Sequence, residues 1–250
     1  MRHRLPRYML PLGAVLLAVM LLGACGAAIG EAPPPPPNLG APLAVTPLAG
    51  QKGFSFGPYT VEGIQGEKPD QADWRFVGRQ GLVMKKAVSF VVSGQGGEWH
   101  CRCALGDNQA GTPLNIGTLW GHGFSLDPTQ GRVLACIMRP REGGAVWRMS
   151  LYAPPSKWKE LSKDPTVDGA LSDGAAVTIR IKAKGVVSVE TVGAKQPSVY
   201  RFLGANGKVA QVRVKAPLRV WLAPGARRAP LAAAAGSLLV GHGVGSEKTK

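Results

Sequence analysis

The feature that most constrains this chain lies near its C terminus, where Pro230 to Val240 runs Pro-Leu-Ala-Ala-Ala-Ala-Gly-Ser-Leu-Leu-Val without a charge. Pro230 suits a first helical position, the alanines are strong helix formers, and Gly241 suits the C-terminal cap. Eleven residues make about 16 Å of helix, far short of a bilayer core of about 30 Å. Only Gly236 and Ser237 interrupt the apolar surface, so no polar face is left to meet water. A short helix that is apolar all round has to be enclosed by protein, with the Ser237 hydroxyl expected on the carbonyl four residues back. The rest of the chain must therefore supply an apolar lining, as a barrel threaded by the helix or as a sheet face on which it lies.

The preceding residues read as that lining. From Phe54 onward, short apolar and β-branched segments alternate with Gly, Pro, Asn and Asp. Candidate strands are Phe54 to Ile64, Trp74 to Val77, Ala87 to Ser93, Trp99 to Leu105, Arg132 to Arg139 and Ala145 to Tyr152. Further ones are Ala176 to Ala183, Val186 to Val192, Ser198 to Leu203, Val209 to Ala216 and Arg219 to Leu222. Turn signals fall at Gly94-Gln95-Gly96-Gly97, Glu142-Gly143-Gly144 and Asn206-Gly207. Val177, Ile179 and Ile181 alternate with Thr178, Arg180 and Lys182, and Val212 and Val214 with Gln211, Arg213 and Lys215. Asn206-Gly207 between Tyr200-Arg201-Phe202 and Val209 to Val212 is a hairpin signal. The fold class is all-β, an antiparallel barrel or sandwich carrying a short apolar C-terminal helix. Pro155 to Lys163, with Trp158 and Leu161 three apart, is the one internal stretch that reads as a short helix.

The order of a late hairpin at Tyr200 to Val214, a last strand at Arg219 to Leu222 and an apolar helix at Pro230 to Val240 resembles the end of tubby and LURP-one type proteins. The resemblance implies a closed antiparallel barrel around a hydrophobic C-terminal helix, in a superfamily whose members bind phosphoinositides or act on membrane lipids. It covers about a sixth of the chain and matches no binding-residue motif.

The N terminus carries a second resemblance. Arg2, Arg4 and Arg7 precede an apolar run from Tyr8 to Leu22, broken only by Pro11 and Gly13, which is the order of a secretory signal. That run is shorter than the roughly 20 residues of a spanning helix. Leu22-Gly23-Ala24-Cys25 resembles the lipobox of bacterial lipoproteins. The resemblance implies cleavage before Cys25, diacylglycerol on its sulfur and an N-acyl chain on its amine, such as palmitate. Several acyl chains anchor where one would be marginal. Gly26, rather than Asp, after the cysteine is similar to cargo sent to the outer membrane in Gram-negative families, facing periplasm or surface. Between Gly26 and Lys52 stand Pro33 to Pro37 in an unbroken row, then Pro42 and Pro47, a stretch that prefers polyproline II and reads as a semi-rigid spacer. The expected organisation is a signal peptide over 1–24, lipidated Cys25 with its linker over 25–53, a β-rich domain over 54–241 and a flexible tail over 242–250.

Charge bears on partners. The full chain carries +15, and loss of the three leader arginines brings the mature charge to about +12. Such a field favours anionic lipid, phosphorylated glycolipid, an envelope polymer or an acidic partner protein, although the same composition suits a merely cationic surface. Arg180, Lys182, Lys184, Arg213 and Lys215 are the basic binding candidates, on the solvent side of their strands. The six tryptophans do not interleave with basic residues as on a nucleic-acid-binding sheet, so nucleic acid is not an expected partner.

With Cys25 acylated, Cys101, Cys103 and Cys136 remain. Cys101 and Cys103 share a strand face and are poorly placed to bond each other, so one of them bridging to Cys136 is the economical arrangement. Cys103 is the preferred partner and Cys101 the alternative. A bridge closing roughly 33 to 35 residues contributes about 3 to 4 kcal/mol. A soft-metal set of His100, Cys101, Cys103 and Cys136 competes, but His100 should point away from the cysteines and no CxxC spacing occurs. Gly53-Phe54-Ser55-Phe56-Gly57 fits G-x-S-x-G, yet that elbow needs a strand before it and a helix after, and Pro58 to Val61 reads as strand. His122 and His242 sit between glycines and read as loop residues. No P-loop, dinucleotide fingerprint, paired-carboxylate motif or H-E-x-x-H is present, so neither cofactor nor catalytic set is assigned. A non-catalytic, envelope-anchored binding module is the expected function, with a lipid-handling or hydrolytic envelope enzyme as the alternative.

Overall fold

The computed structural model of the chain describes residues 38–77, 82–108, 114–115, 125–126, 132–153, 166–175, 178–184 and 199–245. The lipobox with Cys25, the candidate helix at Pro155 to Lys163 and the candidate strand at Val186 to Val192 lie outside the described residues. The described strands are β1 Leu43–Pro47, β2 Gly53–Phe56, β3 Tyr59–Glu67, β4 Leu82–Gly94, β5 Gly97–Asn108, β6 Leu114–Asn115 and β7 Ser125–Leu126. They continue with β8 Arg132–Pro140, β9 Trp147–Ala153, β10 Thr166–Ser172, β11 Thr178–Lys184, β12 Val199–Gly204, β13 Gly207–Arg213 and β14 Arg219–Leu222, followed by helix α1, Arg228–Gly241. Among the described residues, twelve strands close into an antiparallel barrel in the order β1-β14-β13-β12-β11-β10-β9-β8-β5-β4-β3-β2. The two-residue strands β6 and β7 pair only with each other.

Strand number explains why the barrel needs its helix. An eight-stranded barrel has an interior that side chains alone can fill, and the diameter grows with each added strand. Twelve strands leave a lumen, and α1 occupies it. The helix packs on β4, β5 and β8 at one side and on β13 and β14 at the other; β5 and β13 stand diametrically opposite in the ring. Every residue from Pro230 to Val240 is buried. Leu231, Leu238 and Leu239 each gain about 1.5–3 kcal/mol from full burial. The small residues fit the narrow parts, for a Cβ on Gly236 would already lie 3.2 Å from both Val61 Cγ2 and Val92 Cγ2. The open choice between a threaded helix and one laid on a sheet face is thus decided for threading.

The end of the helix differs from expectation. Gly241 remains helical, pressed against Leu134. The chain turns at Gly243, whose φ is 82°. Gly243 N–H donates to the Val240 carbonyl and Val244 N–H to the Leu239 carbonyl, at 2.8 and 3.0 Å. This is the paired pattern of a Schellman cap, and it requires a left-handed residue that glycine supplies. Val244 packs against the core, so the folded body extends beyond the expected boundary at Gly241. The Ser237 hydroxyl lies beside the Cys101 thiol rather than bonding the Ala233 carbonyl.

Several strand assignments are corrected. Phe54 to Ile64 is not one strand but the hairpin β2–β3, turned at Gly57-Pro58 with Gly57 at φ 58°. A glycine first in a two-residue loop is what a type II′ hairpin requires. Trp74 to Val77 belongs to a 3₁₀ helix, Gln71–Val77. Residues three apart eclipse in that geometry, so Trp74 and Val77 cover the outside of the barrel together, against Met84, Ala87, Ala104, Val133, Ala135, Ile137 and Tyr152. That cover is why β8 is buried on both faces from Val133 to Met138. The Gln71 amide clamps the 3₁₀ segment to the Met84 backbone N–H and carbonyl. Within the stretch read as linker, Leu43–Pro47 forms β1, pairing with β14 and β2 to close the ring. Pro47 ends that strand, where a missing N–H is tolerated. β10 was not among the candidate strands, and it contains Asp168-Gly169, a dipeptide common in turns. Gly169 is instead in mid-strand, where a Cβ would sit 2.3 Å from the Ser150 carbonyl oxygen.

Candidate functional site

The closed ring decides where the basic residues of β11 to β14 point. Ile179, Ile181, Ala183, Tyr200, Phe202, Ala210, Val212, Val220 and Leu222 line the core. With a strand period of two, Arg180, Lys182, Arg201, Gln211, Arg213 and Arg219 face outward. A bulge between Phe202 and Leu203 brings Lys208 opposite Leu203 on the same outer side.

Register sets like charges against each other. Lys182 stands directly across from Arg201, and Arg213 directly across from Arg219. Cβ atoms of opposed residues lie about 4.5–5.5 Å apart, and like charges there destabilise the sheet. Two cations held about 6 Å apart repel by about 0.7 kcal/mol in water and about 3 kcal/mol at an effective surface dielectric of about 20. Lys208 Nζ donates to Gln211 Oε1 at 3.3 Å and the Arg219 guanidinium to the Leu218 carbonyl at 3.1 Å, both neutral acceptors. Burial, and then the positive field of Arg201, hold the Lys208 ammonium below its usual pKa. Asp168 on β10 stands directly across from Lys182 and 3.5 Å from Arg180. Among the described residues, no carboxylate comes within ion-pair distance of Lys182, Arg201, Arg213 or Arg219.

The opposite side of the barrel shows what a neutralised arginine looks like. Arg102 on β5 donates to Glu67 at 2.6 Å and to Asp73, and lies over the Trp74 ring at 6.0 Å. Burial opposes its charge, but the two carboxylates keep its pKa raised. Arg102 fastens the 3₁₀ segment to the barrel through two carboxylates.

Of the basic candidates, Arg180, Lys182 and Arg213 therefore share one face, joined by Arg201, Lys208 and Arg219, which the sequence reading had not singled out. The signal was present at Arg201, flanked by the inward pair Tyr200 and Phe202. Lys215 is exposed in the β13–β14 connection, and the Lys184 side chain lies outside the described residues. Cys103 and Cys136, cross-strand partners on β5 and β8, are joined in a disulfide. Cys101 is free and buried, its thiol pushed up to about 12 by burial. With His100 exposed beside Glu98 on the outer side, the four residues weighed as metal ligands do not converge. Ser55 sits on β2 and is followed by the β2–β3 hairpin instead of a helix, so the nucleophile elbow is not formed. His122 lies outside the described residues.

His242, expected in a loop, is the C-cap residue of α1. Its Nε2 is 2.8 Å from the Tyr200 hydroxyl. Burial lowers its pKa to about 4 and raises that of Tyr200. A neutral imidazole held by a tyrosine is a structural latch between α1 and β12.

Comparison with known proteins yields no match: no family, no curated protein and no solved structure is recognisably similar to this chain.

Proposed function

We propose that the chain is an envelope-anchored lipoprotein acting as a non-catalytic binding or structural module. Cys25 carries the lipid, the proline row after it is the spacer, and the barrel presents its β11 to β14 face to an anionic envelope component or an acidic partner protein. The observation that carries the binding role is the pair of like-charged cross-strand contacts, Lys182 with Arg201 and Arg213 with Arg219, bordered by Asp168 across from Lys182 on β10 but with no carboxylate between the members of either pair. A surface serving only solubility interleaves both signs. Here repulsion is built into the sheet, and an anion seated on it would turn that repulsion into attraction. The anchor rests on the lipobox resemblance. A closed barrel around an apolar helix also suits the resemblance to tubby and LURP-one type proteins, whose members work at lipids.

The test uses purified full-length chain in detergent, passed over immobilised anionic envelope polymer and over a neutral matrix. Retention on the anionic matrix alone, lost between about 50 mM and 500 mM salt as screening tightens, is the expected result. Equal retention on both, or retention indifferent to salt, ends the electrostatic reading. The anchor is tested separately: a Cys25→Ser form that still partitions into detergent, or processing that globomycin leaves untouched, ends it.

A further inference from the structure

The barrel end at which α1 begins carries charge of the wrong sign for a helix start. Arg227 is the N-cap residue and Arg228 the first helical one, the first turn holds no acid, and no side chain caps it. A helix N-terminus already bears roughly half a positive charge and favours Asp or Glu beside it. Two arginines add to that charge, and among the described residues no carboxylate comes within ion-pair distance of either. Arg228 N–H donates to the Gly225 carbonyl and Leu231 N–H to the Arg227 carbonyl, both at 3.1 Å, while proline at position 230 has no N–H to give. Ala229 N–H is left without an acceptor.

A second observation, on a different element, points to the same place. Tyr59, the first residue of β3, is only 2 % exposed, and its hydroxyl comes beside the Arg228 guanidinium. Neither Tyr59 Oη nor Arg228 Nε has a hydrogen-bond partner, a costly state for buried polar atoms. Burial raises the Tyr59 pKa against the opposing influence of Arg228, so the hydroxyl keeps its proton and remains a donor. The β4–β5 turn closes on both sides of this spot. A Cβ on Gly94 would lie 2.7 Å from Tyr59 Cδ1, and one on Gly96 would lie 2.6 Å from Ala229 Cβ. Donors in want of an acceptor thus gather at the positive end of the helix.

We propose that this end of the barrel is a site for one phosphate monoester, seated on the first turn of α1 against Arg227, Arg228, the Ala229 N–H and the Tyr59 hydroxyl. Helix N-termini suit phosphate because free N–H groups and the dipole point at it, and arginine meets its oxygens in bidentate fashion. Charge selects the monoester. Two guanidinium groups and a helix end match a group of about −1.5 to −2 at pH 7, whereas a carboxylate or phosphodiester leaves positive charge over. The site is on a different surface from the β11 to β14 face. The chain also enters the barrel at this end, where Gly40 N–H donates to the carbonyl of Leu222, the last residue of β14, at 3.2 Å. Free phosphate and a lipid-borne monoester offer the same chemistry, and only the second depends on the anchor proposed above.

The experiment follows the melting temperature of full-length chain in detergent as inorganic phosphate is added, with acetate at matched ionic strength as the control. A ligand that binds only the folded state raises melting in a saturable way, and phosphate should do so where acetate does not. Arg228→Gln should weaken phosphate about tenfold or more, the loss expected for a hydrogen bond to a charged group. Tyr59→Phe should weaken it about three- to tenfold and yet melt no lower than the parent without phosphate, since the deleted hydroxyl had no partner. Arg227→Gln, at an exposed position, should also weaken it, while Arg213→Gln on the other face should change it less than about twofold. Mixed micelles then separate the sources: phosphatidic acid acting at lower concentration than inorganic phosphate assigns the site to a lipid, and the reverse order assigns it to free phosphate. Phosphatidylglycerol acting as well as phosphatidic acid overturns the monoester assignment. Phosphate no better than acetate, or a phosphate effect that survives Arg228→Gln and Tyr59→Phe but is lost in Arg213→Gln, overturns the site while leaving the β11 to β14 reading standing.

Discussion

Truncating Leu238 to alanine tests the threaded helix directly. Leu238 is wholly buried, on the helix that fills the barrel. Leu→Ala changes in well-packed cores cost 2.7–5.0 kcal/mol, rising by about 24 cal/mol per Å³ of cavity left behind. The outcome within that range depends on whether neighbours can collapse inward. Here they cannot, because each lining strand is hydrogen-bonded on both sides and strand number sets the diameter. The cost should therefore fall near the upper end, about 4–5 kcal/mol. For a domain of this size about 2–4 °C are lost per kcal/mol, giving a fall in melting temperature of about 8–20 °C. Urea unfolding should show a lower midpoint at unchanged slope. Val83→Ala, at an exposed position, should stay within about 0.5 kcal/mol and serves as the control. The cavity, lined by apolar groups, should stay dry and admit xenon or benzene, with partial recovery of stability. A loss below about 2 kcal/mol, or no xenon effect, would refute the argument that the ring holds its width around the helix.

Replacing Cys103 and Cys136 together by alanine should lower stability by about 3–4 kcal/mol, read from urea melts of oxidised chain, because the bridge closes a separation of 33 residues. In the intact protein Cys101 should resist thiol reagents at pH 8, reacting only at the rate of unfolding, since burial keeps its thiol protonated with a pKa of about 12. His242 gives a pH dependence of defined sign. Its folded pKa of about 4 lies below the unfolded value near 6.5, so the unfolded chain takes up the proton first. Stability is whole above about pH 6.5 and falls by about 3 kcal/mol as pH drops toward 4. His242→Gln should flatten that part of the pH–stability curve relative to the parent, and parallel curves for the two would count against it. Gly94→Ala should cost more than about 2 kcal/mol in thermal melts, since φ is 152° and the new Cβ would lie 2.5 Å from the Pro58 carbonyl oxygen.

Much of the architecture was legible because its constraints are local. A helix with no polar face must be enclosed, and alternation such as Ile179-Arg180-Ile181-Lys182 fixes inside and outside at once. Where reading failed, the information was tertiary. Leu43 to Pro47 is an unremarkable piece of a proline-rich stretch until β14 and β2 each need a neighbour. Asp168-Gly169 carries a turn signal that the close approach of the Ser150 carbonyl overrides. Trp74 to Val77 reads as a short strand because nothing local says that a 3₁₀ turn can cover the outside of a barrel. The basic face shows the same limit: alternation put Arg180, Lys182 and Arg213 on the solvent side, but only register revealed that Arg201 and Arg219 stand opposite two of them.

The pairing of Leu43 with Val220 joins strands from nearly opposite ends of the folded body. A chain emerging from its N terminus cannot complete that seam until β14 has appeared, and the plug that fills the lumen comes later still. Until then the aromatic lining of β2 and β3 is wet and β1 has an unsatisfied edge. Such non-local closure makes for slow folding and a long window for wrong association. A holding chaperone that shields the half-built wall is what this order of events calls for, and a circular permutant opened at the Ala205-Asn206 turn would present β13, β14 and α1 first and shorten the wait.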